Sequence, residues 1–329
     1  MREKMERYQI PVYLLALLLA GIIGWLWPDT GAWFGTATPV ILGLLLYGMF
    51  SQIPFLSMGE TWTQRRFMVA LMVANYIAVP LLVWGLAQLL PDHPPLLLGV
   101  YLVLLTPCID YVIVFTHLGR GDAKLMLMAT PMLFVTQMAL LPVYLWLFLG
   151  RDAASLMQLK PFMEAFLTLI VLPLLLAIGS QAWARRHPQR GPQLMEATAW
   201  LPVPFMALTL LAVVASQIGK VYASLSELLP VLPIYIAFMM ISPLLSRWIA
   251  ALFRLSPAYG RTLAFSAGTR NSLVVLPIAL ALPDPVGGLV AAVIVTQTLV
   301  ELAGELVYIR LIPRLFPSNT EEAKQSPVG

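Results

Sequence analysis

An all-α membrane protein of ten transmembrane helices, folded as two inverted five-helix repeats, is the fold the sequence predicts, and three observations predict it. Of the 329 residues, 60% are apolar and 11% are charged, a balance foreign to ordinary soluble domains. Ten apolar windows, each long enough for the roughly 20 helical residues that cross a bilayer core of about 30 Å, are separated by short polar punctuation. Short polar words also recur in the two halves of the chain in the same order.

The windows run 8–27, 33–56, 67–90, 96–117, 123–149, 162–183, 199–219, 228–250, 260–282 and 286–312. The first follows the basic stretch MREKMER. Its apolar run is too long for a signal peptide and has no small-residue cleavage site, so it reads as a retained span. Orientation follows from Lys and Arg, which are held on the cytoplasmic side. With the N-terminus inside, sixteen of the twenty fall in cytoplasmic segments, while Arg151, Lys160 and Lys220 lie outside and Arg270 lies within a span. The expected topology is therefore N-in and C-in across a cell inner membrane. The basic balance follows from that topology, and nucleic acid is not an expected partner. The tail 317–329, PSNTEEAKQSPVG, is polar and expected to be disordered.

Ten spans divide into repeats at 1–155 and 156–316, the second upside down relative to the first, as in many secondary transporters. Val135-Thr136-Gln137 recurs as Val295-Thr296-Gln297, an offset of 160 residues, and Ser51-Gln52-Ile53 recurs as Ser216-Gln217-Ile218, an offset of 165. Pro39 and Pro204 each precede their serine by twelve residues. The 160-residue offset carries Asp110 onto Arg270, so the fourth and ninth spans hold opposite charges at equivalent positions. Each span also carries a helix breaker just upstream, Thr106-Pro107 in one and Ser266-Ala267-Gly268 in the other. Proline removes a donor and crowds the preceding turn, and glycine permits irregular backbone. Both helices are expected to unwind and cross at the membrane midplane, where non-helical backbone is tolerated only inside protein or beside a wet cavity.

The charged and polar residues inside the windows are the candidate site. A lone intramembrane charge is costly, so Asp110 and Arg270 are expected to face each other or water. Cys108, the single cysteine, is either a buried small hydrophobe or, beside the helix break, a reachable thiol. Gln297, Glu301 and Glu305 share one helix face by their spacing. Glu301 is the candidate for proton coupling together with Asp110, and Glu305, closer to the cytoplasmic end, is expected to snorkel or to pair with Arg310. Gln137, Ser51, Gln52, Ser216 and Gln217 are supporting polar groups. His117 and Asp122 are expected at the interface. No Walker loop, HExxH or GxSxG occurs, so ATP hydrolysis and proteolysis have no visible basis, no cofactor is implied and the protein is not expected to be an enzyme.

The run PCIDYVIVFTHLGRGD, Pro107 to Asp122, resembles the fourth-span signature of the bile acid/sodium symporter superfamily, and especially of its arsenite-exporter branch, through Cys108, Ile109, Arg120, Gly121 and Asp122. The run FSAGTRNSLVVLPIALALP resembles the superfamily's second broken helix, with Gly268 and Asn271 at the matching spacing. The resemblance implies a panel domain, a core domain containing the crossed helices, and transport by alternating access. For the exporter branch it implies trivalent arsenic as substrate, with Cys108 as its thiol ligand. The sodium-coupled members carry a Ser-Asn pair where this chain has Val112 and Ile113, and acidic and glutamine ligands where it has Ser266 and Arg270. The exporter branch has an acidic residue shortly after Asn271, where this chain reads SLVVLP.

The expected function is secondary active transport of a small molecule or oxyanion through a lipid bilayer, most simply export of arsenite or a similar oxyacid by proton exchange. The alternatives are organic-anion transport, with Arg270 attracting the solute, and a non-transporting receptor or scaffold. Paired breakers and intramembrane charges give a scaffold little purpose. Cys108, Asp110, Arg270 and Asn271 are the expected substrate-binding residues.

Overall fold

The computed structural model describes residues 9–26, 30–53, 55, 64–109, 111–156, 164, 167–223, 225–283 and 286–317. Asp110 and nearly all of the expected disordered tail lie outside them. Helices dominate: α1 (Gln9–Leu26), α2 (Thr30–Gln52), α3 (Arg65–Ala87), α4 (Pro94–Leu104), α5 (Val112–Leu118), α6 (Ala123–Leu156), α7 (Leu167–Arg186), α8 (Gly191–Thr198), α9 (Pro202–Ala223), α10 (Leu225–Leu228), α11 (Val231–Leu252), α12 (Pro257–Gly268), α13 (Ser272–Leu280) and α14 (Val286–Leu315). Six stretches are long and apolar enough to cross a membrane: Arg65–Ala87, Ala123–Gly150, Leu167–Arg186, Gly191–Ala212, Ser226–Leu252 and Val286–Leu315. Large apolar side chains such as Leu18, Leu81, Trp146 and Trp248 are exposed on the outside of the bundle. Lipid solvates such side chains as readily as a protein core would.

The helices pack as two groups. One comprises α1, α2, α7 and α9, with α9 lying along both α1 and α2. The other is built around α14, which packs on α4, α11, α12 and α13, with α3 and α6 completing it. The groups meet where α9 touches α14 and α13 touches α2.

Close approach of α4 to α14 depends on Gly99, where a Cβ would lie 2.7 Å from Val293 Cγ1. Gly99→Leu overfills this contact and is expected to cost about 1–3 kcal/mol. A thermal shift of the solubilised protein measures it, and unchanged melting would show that the seam is slack.

Backbone breaks are satisfied locally. In α3 a π-helical turn at Ala74–Ala78 precedes Pro80, which cannot supply the amide that the Tyr76 carbonyl would ordinarily accept from. The Tyr144 hydroxyl donates to that carbonyl instead, at 2.6 Å. The wide turn also carries the buried Asn75, and such turns often occur at functional sites.

Candidate functional site

The two broken helices meet at their breaks. Pro107 ends the helical hydrogen bonding of the fourth window because it has no amide proton. The Thr106 hydroxyl donates to the carbonyls of Leu102 and Val103 at 3.0 and 3.1 Å, so the turn left short of donors is still paired. In the ninth window α12 ends at Gly268, against which Tyr308 packs so closely that a Cβ would lie 2.5 Å from its ring. Thr269 is extended there, and Asn271 starts α13 by accepting from the Val274 amide at 3.3 Å.

The two non-helical stretches pair as a short antiparallel bridge centred on Pro107 and Arg270. The Cys108 amide donates to the Thr269 carbonyl at 3.0 Å, and the Asn271 amide donates to the Thr106 carbonyl at 2.8 Å. Pro107 and Arg270 therefore form the non-hydrogen-bonded pair of the bridge, in which both residues turn their backbone polar groups outward. Proline needs no donor at that position. Arg270 has both groups, and both are used: its amide donates to Glu301 Oε2 at 2.8 Å, and its carbonyl accepts from the Tyr111 hydroxyl at 3.1 Å.

The Arg270 guanidinium is fully buried and held by neutral oxygens. Its Nη2 donates to Asn75 Oδ1 at 3.0 Å and to the carbonyls of Ser266 and Ala267 at 2.7 and 2.6 Å, and its Nη1 donates to the Leu104 carbonyl at 3.3 Å. Phe238 adds a ring face, with its centroid 5.5 Å from the guanidinium carbon. The carbonyls belong to the C-terminal ends of α4 and α12, which carry the negative end of each helix dipole. The cation thus pins both half-helices at their ends.

Glu301 is the buried acid of the site. Its Oε1 accepts from the Tyr111 hydroxyl at 2.5 Å, and its Oε2 accepts from Gln297 Nε2 at 2.5 Å as well as from the Arg270 amide. The shared helix face of Gln297 and Glu301 is realised as this hydrogen bond. Glu305 differs from expectation. It does not reach the surface to pair with Arg310 but is fully buried, and accepts from the Thr269 hydroxyl at 2.7 Å. The unwound segment brings that hydroxyl within reach, which a surface reading of the helix could not anticipate.

The other candidates scatter. Cys108 is fully buried beside the bridge. Asn271 is buried with Nδ2 unpartnered, and Gln137 is buried with neither amide atom partnered. Ser51 donates to the Tyr47 carbonyl at 2.7 Å, and the side chains of Ser216 and Gln217 lie outside the described residues. Asp122 caps α6, accepting from the Leu125 amide at 2.8 Å. Three participants went unnoticed at the sequence level: Tyr111, Asn75 and Thr269. Asn75 left a signal, since it and Asn271 are the two asparagines inside apolar windows.

A cavity of about 310 Å³ lies between the two helix groups. Tyr13, Gln52 and Met206 line it from one side, and Ile109, Tyr111 and Val114 from the other. Its wall includes Ile109 and Tyr111 but not Cys108, and it is mainly apolar.

The arrangement, two broken helices beside a cavity, suits reversible binding of a small solute. Residues 39–224 match the model of the sodium bile acid symporter family. Over 118 residues, 35% of this chain, the sequence is 29% identical to the arsenical-resistance protein Acr3 of Corynebacterium glutamicum. That match spans about a third of the relative's length, 32%. With more than half of its length matched, the chain belongs to the sodium bile acid symporter family, a family of multi-pass membrane transporters.

Proposed function

We propose that the chain is a ten-span secondary transporter of two inverted repeats, exporting trivalent arsenic or a related oxyacid in exchange for protons by alternating access. The observation that carries the reading is the crossing itself: Cys108 sits in the bridge, and a buried carboxylate, Glu301, is hydrogen-bonded to the backbone of the same bridge. Soft trivalent arsenic bonds strongly to a thiolate, and the carboxyl supplies a proton-exchanging group in the same unit. The inverted repeat is supported by the grouping of the helices. Each half contributes two spans to the group containing α9 and three to the group around α14.

Independence from sodium is supported by Arg270, whose guanidinium fills the cluster of carbonyl and amide oxygens that a free hard cation would need. With the N-terminus inside, Gln52, Val114 and Pro202 lie toward the cytoplasmic ends of their spans. The cavity between the groups then faces the cytoplasm, as an exporter waiting for its load requires. Cys108 lies one residue behind the wall, so the solute reaches it when the two groups shift.

A second reading has its own observation. The apolar wall and volume of the cavity suit a small organic solute better than an oxyacid. Arsenite accumulation in cells lacking their own exporter separates the two. Expression of the chain is expected to lower accumulation, and Cys108→Ser is expected to abolish the effect while membrane insertion persists. Undiminished accumulation at good expression would favour the organic solute, and a serine variant that still protects would exclude thiol ligation.

A further inference from the structure

Tyr111 stands between the cavity and the buried acid. It is part of the cavity wall, whereas Glu301 is not. Its hydroxyl has one proton, and Glu301 Oε1 at 2.5 Å and the Arg270 carbonyl at 3.1 Å are both acceptors within its reach. A hydroxyl donates once and can accept as well. When Glu301 is ionised, the short contact is best served by the tyrosine donating to the carboxylate. When Glu301 is protonated on Oε1, the same contact is served by the acid donating to the tyrosine oxygen, and the tyrosine proton is then free to turn to the Arg270 carbonyl. Both protonation states are thus satisfied without moving a heavy atom.

We propose that Tyr111 is the residue that couples the cavity to Glu301, switching its single hydroxyl proton between the Glu301 carboxylate and the Arg270 carbonyl as Glu301 loses and gains a proton. The inference rests on the proton-exchange reading. The proton balance is simple. A hydronium ion in the cavity gives its proton to the tyrosine oxygen while the tyrosine's own proton passes to Oε1. The carboxyl ends protonated, the tyrosine ends neutral with its new O–H proton directed at the Arg270 carbonyl, and water is left behind. The reverse path returns the proton to water.

Because the ring belongs to the wall, a solute pressing on it displaces the hydroxyl from Oε1 and alters the proton affinity of Glu301. By linkage, protonation alters solute affinity by the same factor. Other polar groups surround Glu301, among them Gln297 and Glu305, whose Oε1 and Oε2 respectively have no hydrogen-bond partner. Gln297 Nε2 and the Arg270 amide hold Glu301 Oε2, Glu305 is bonded to Thr269, the Tyr308 hydroxyl donates to the Met239 carbonyl, and the Tyr235 hydroxyl donates to the Val293 carbonyl. Cys108 lies across the bridge, Tyr101 of α4 stacks on Phe148, and α13 brings no charged side chain. Tyr111 joins this cluster to the cavity wall.

Infrared difference spectra between acid and alkaline buffer, on the full-length protein in detergent, test the switch without any solute. A carboxyl band that Glu301→Gln removes is expected, accompanied by a tyrosine band that vanishes in Tyr111→Phe and also in Glu301→Gln. Should Tyr111→Phe fail to fold, the Glu301→Gln spectrum decides alone. A tyrosine band that survives Glu301→Gln, or a wild-type spectrum with no Glu301 band, overturns the proposal.

In proteoliposomes with arsenite as the probe, Tyr111→Phe is expected to lose about tenfold or more of its pH-gradient drive. Tyr111→His, which keeps a ring donor, is expected to restore part of the drive. Equal drive in Tyr111→Phe would remove the role of Tyr111 and leave proton exchange standing. A wild type indifferent to the gradient would remove proton exchange itself.

Discussion

Replacing Arg270 with glutamine is expected to cost about 3–5 kcal/mol of stability, the usual loss when one member of a buried charge system is removed. The guanidinium supplies donors to four oxygens, those of Asn75, Ser266, Ala267 and Leu104. A glutamine amide reaches at most two of them, and each buried acceptor left bare costs about 1–3 kcal/mol. The two half-helices also lose the cation that offsets their like dipole ends. Arg270→Lys keeps the charge but not the fork, and is expected to fall between wild type and glutamine.

The double variant Arg270→Gln with Glu301→Gln leaves neither charge behind and is expected to recover part of the loss. Thermal unfolding of purified protein across the four species gives the coupling. Strict additivity would mean that Arg270 and Glu301 do not sense each other and that the bridge is held by backbone bonds alone.

Glu301→Gln alone is the second large effect, and it falls on function more than on stability. The amide can face its oxygen to the Arg270 amide and Gln297, and its nitrogen to the Tyr111 oxygen. Tyr111 then donates to the Arg270 carbonyl. This is the hydrogen-bond pattern of the protonated acid, held permanently. Insertion and folding are expected to survive, whereas transport driven by a pH gradient should fall by about a hundredfold or more, as when a positioned proton-transfer group is lost. Flux measured in vesicles with and without a gradient checks this. Undiminished gradient drive would show that Glu301 carries no proton and would move attention to Asp110.

The sequence made the breaks visible because the cause is local: Pro107 cannot donate, and Gly268 is the small residue against which Tyr308 packs. It also exposed Arg270 and Glu301, since charges in apolar windows are conspicuous. The register of the crossing was hidden. An internal offset relates equivalent residues, which does not say that the bridge pairs Arg270 with Pro107. Tyr111 and Asn75 escaped notice for a related reason. Their partners lie 190 and 195 residues away, Glu301 and Arg270 respectively; tyrosine is ordinary in such a helix, and the rarity of Asn75 in an apolar window does not name a partner at that separation. Glu305 was misplaced because the hydroxyl that satisfies it comes from an unwound segment of another span.

The most direct test of the account is arsenite movement into proteoliposomes holding the purified full-length chain, with an imposed pH gradient and with sodium replaced by choline. The account predicts accumulation that follows the pH gradient, is unchanged in choline, and is lost in Cys108→Ser. Accumulation that requires sodium, or a gradient-driven flux that the serine variant retains, would contradict it.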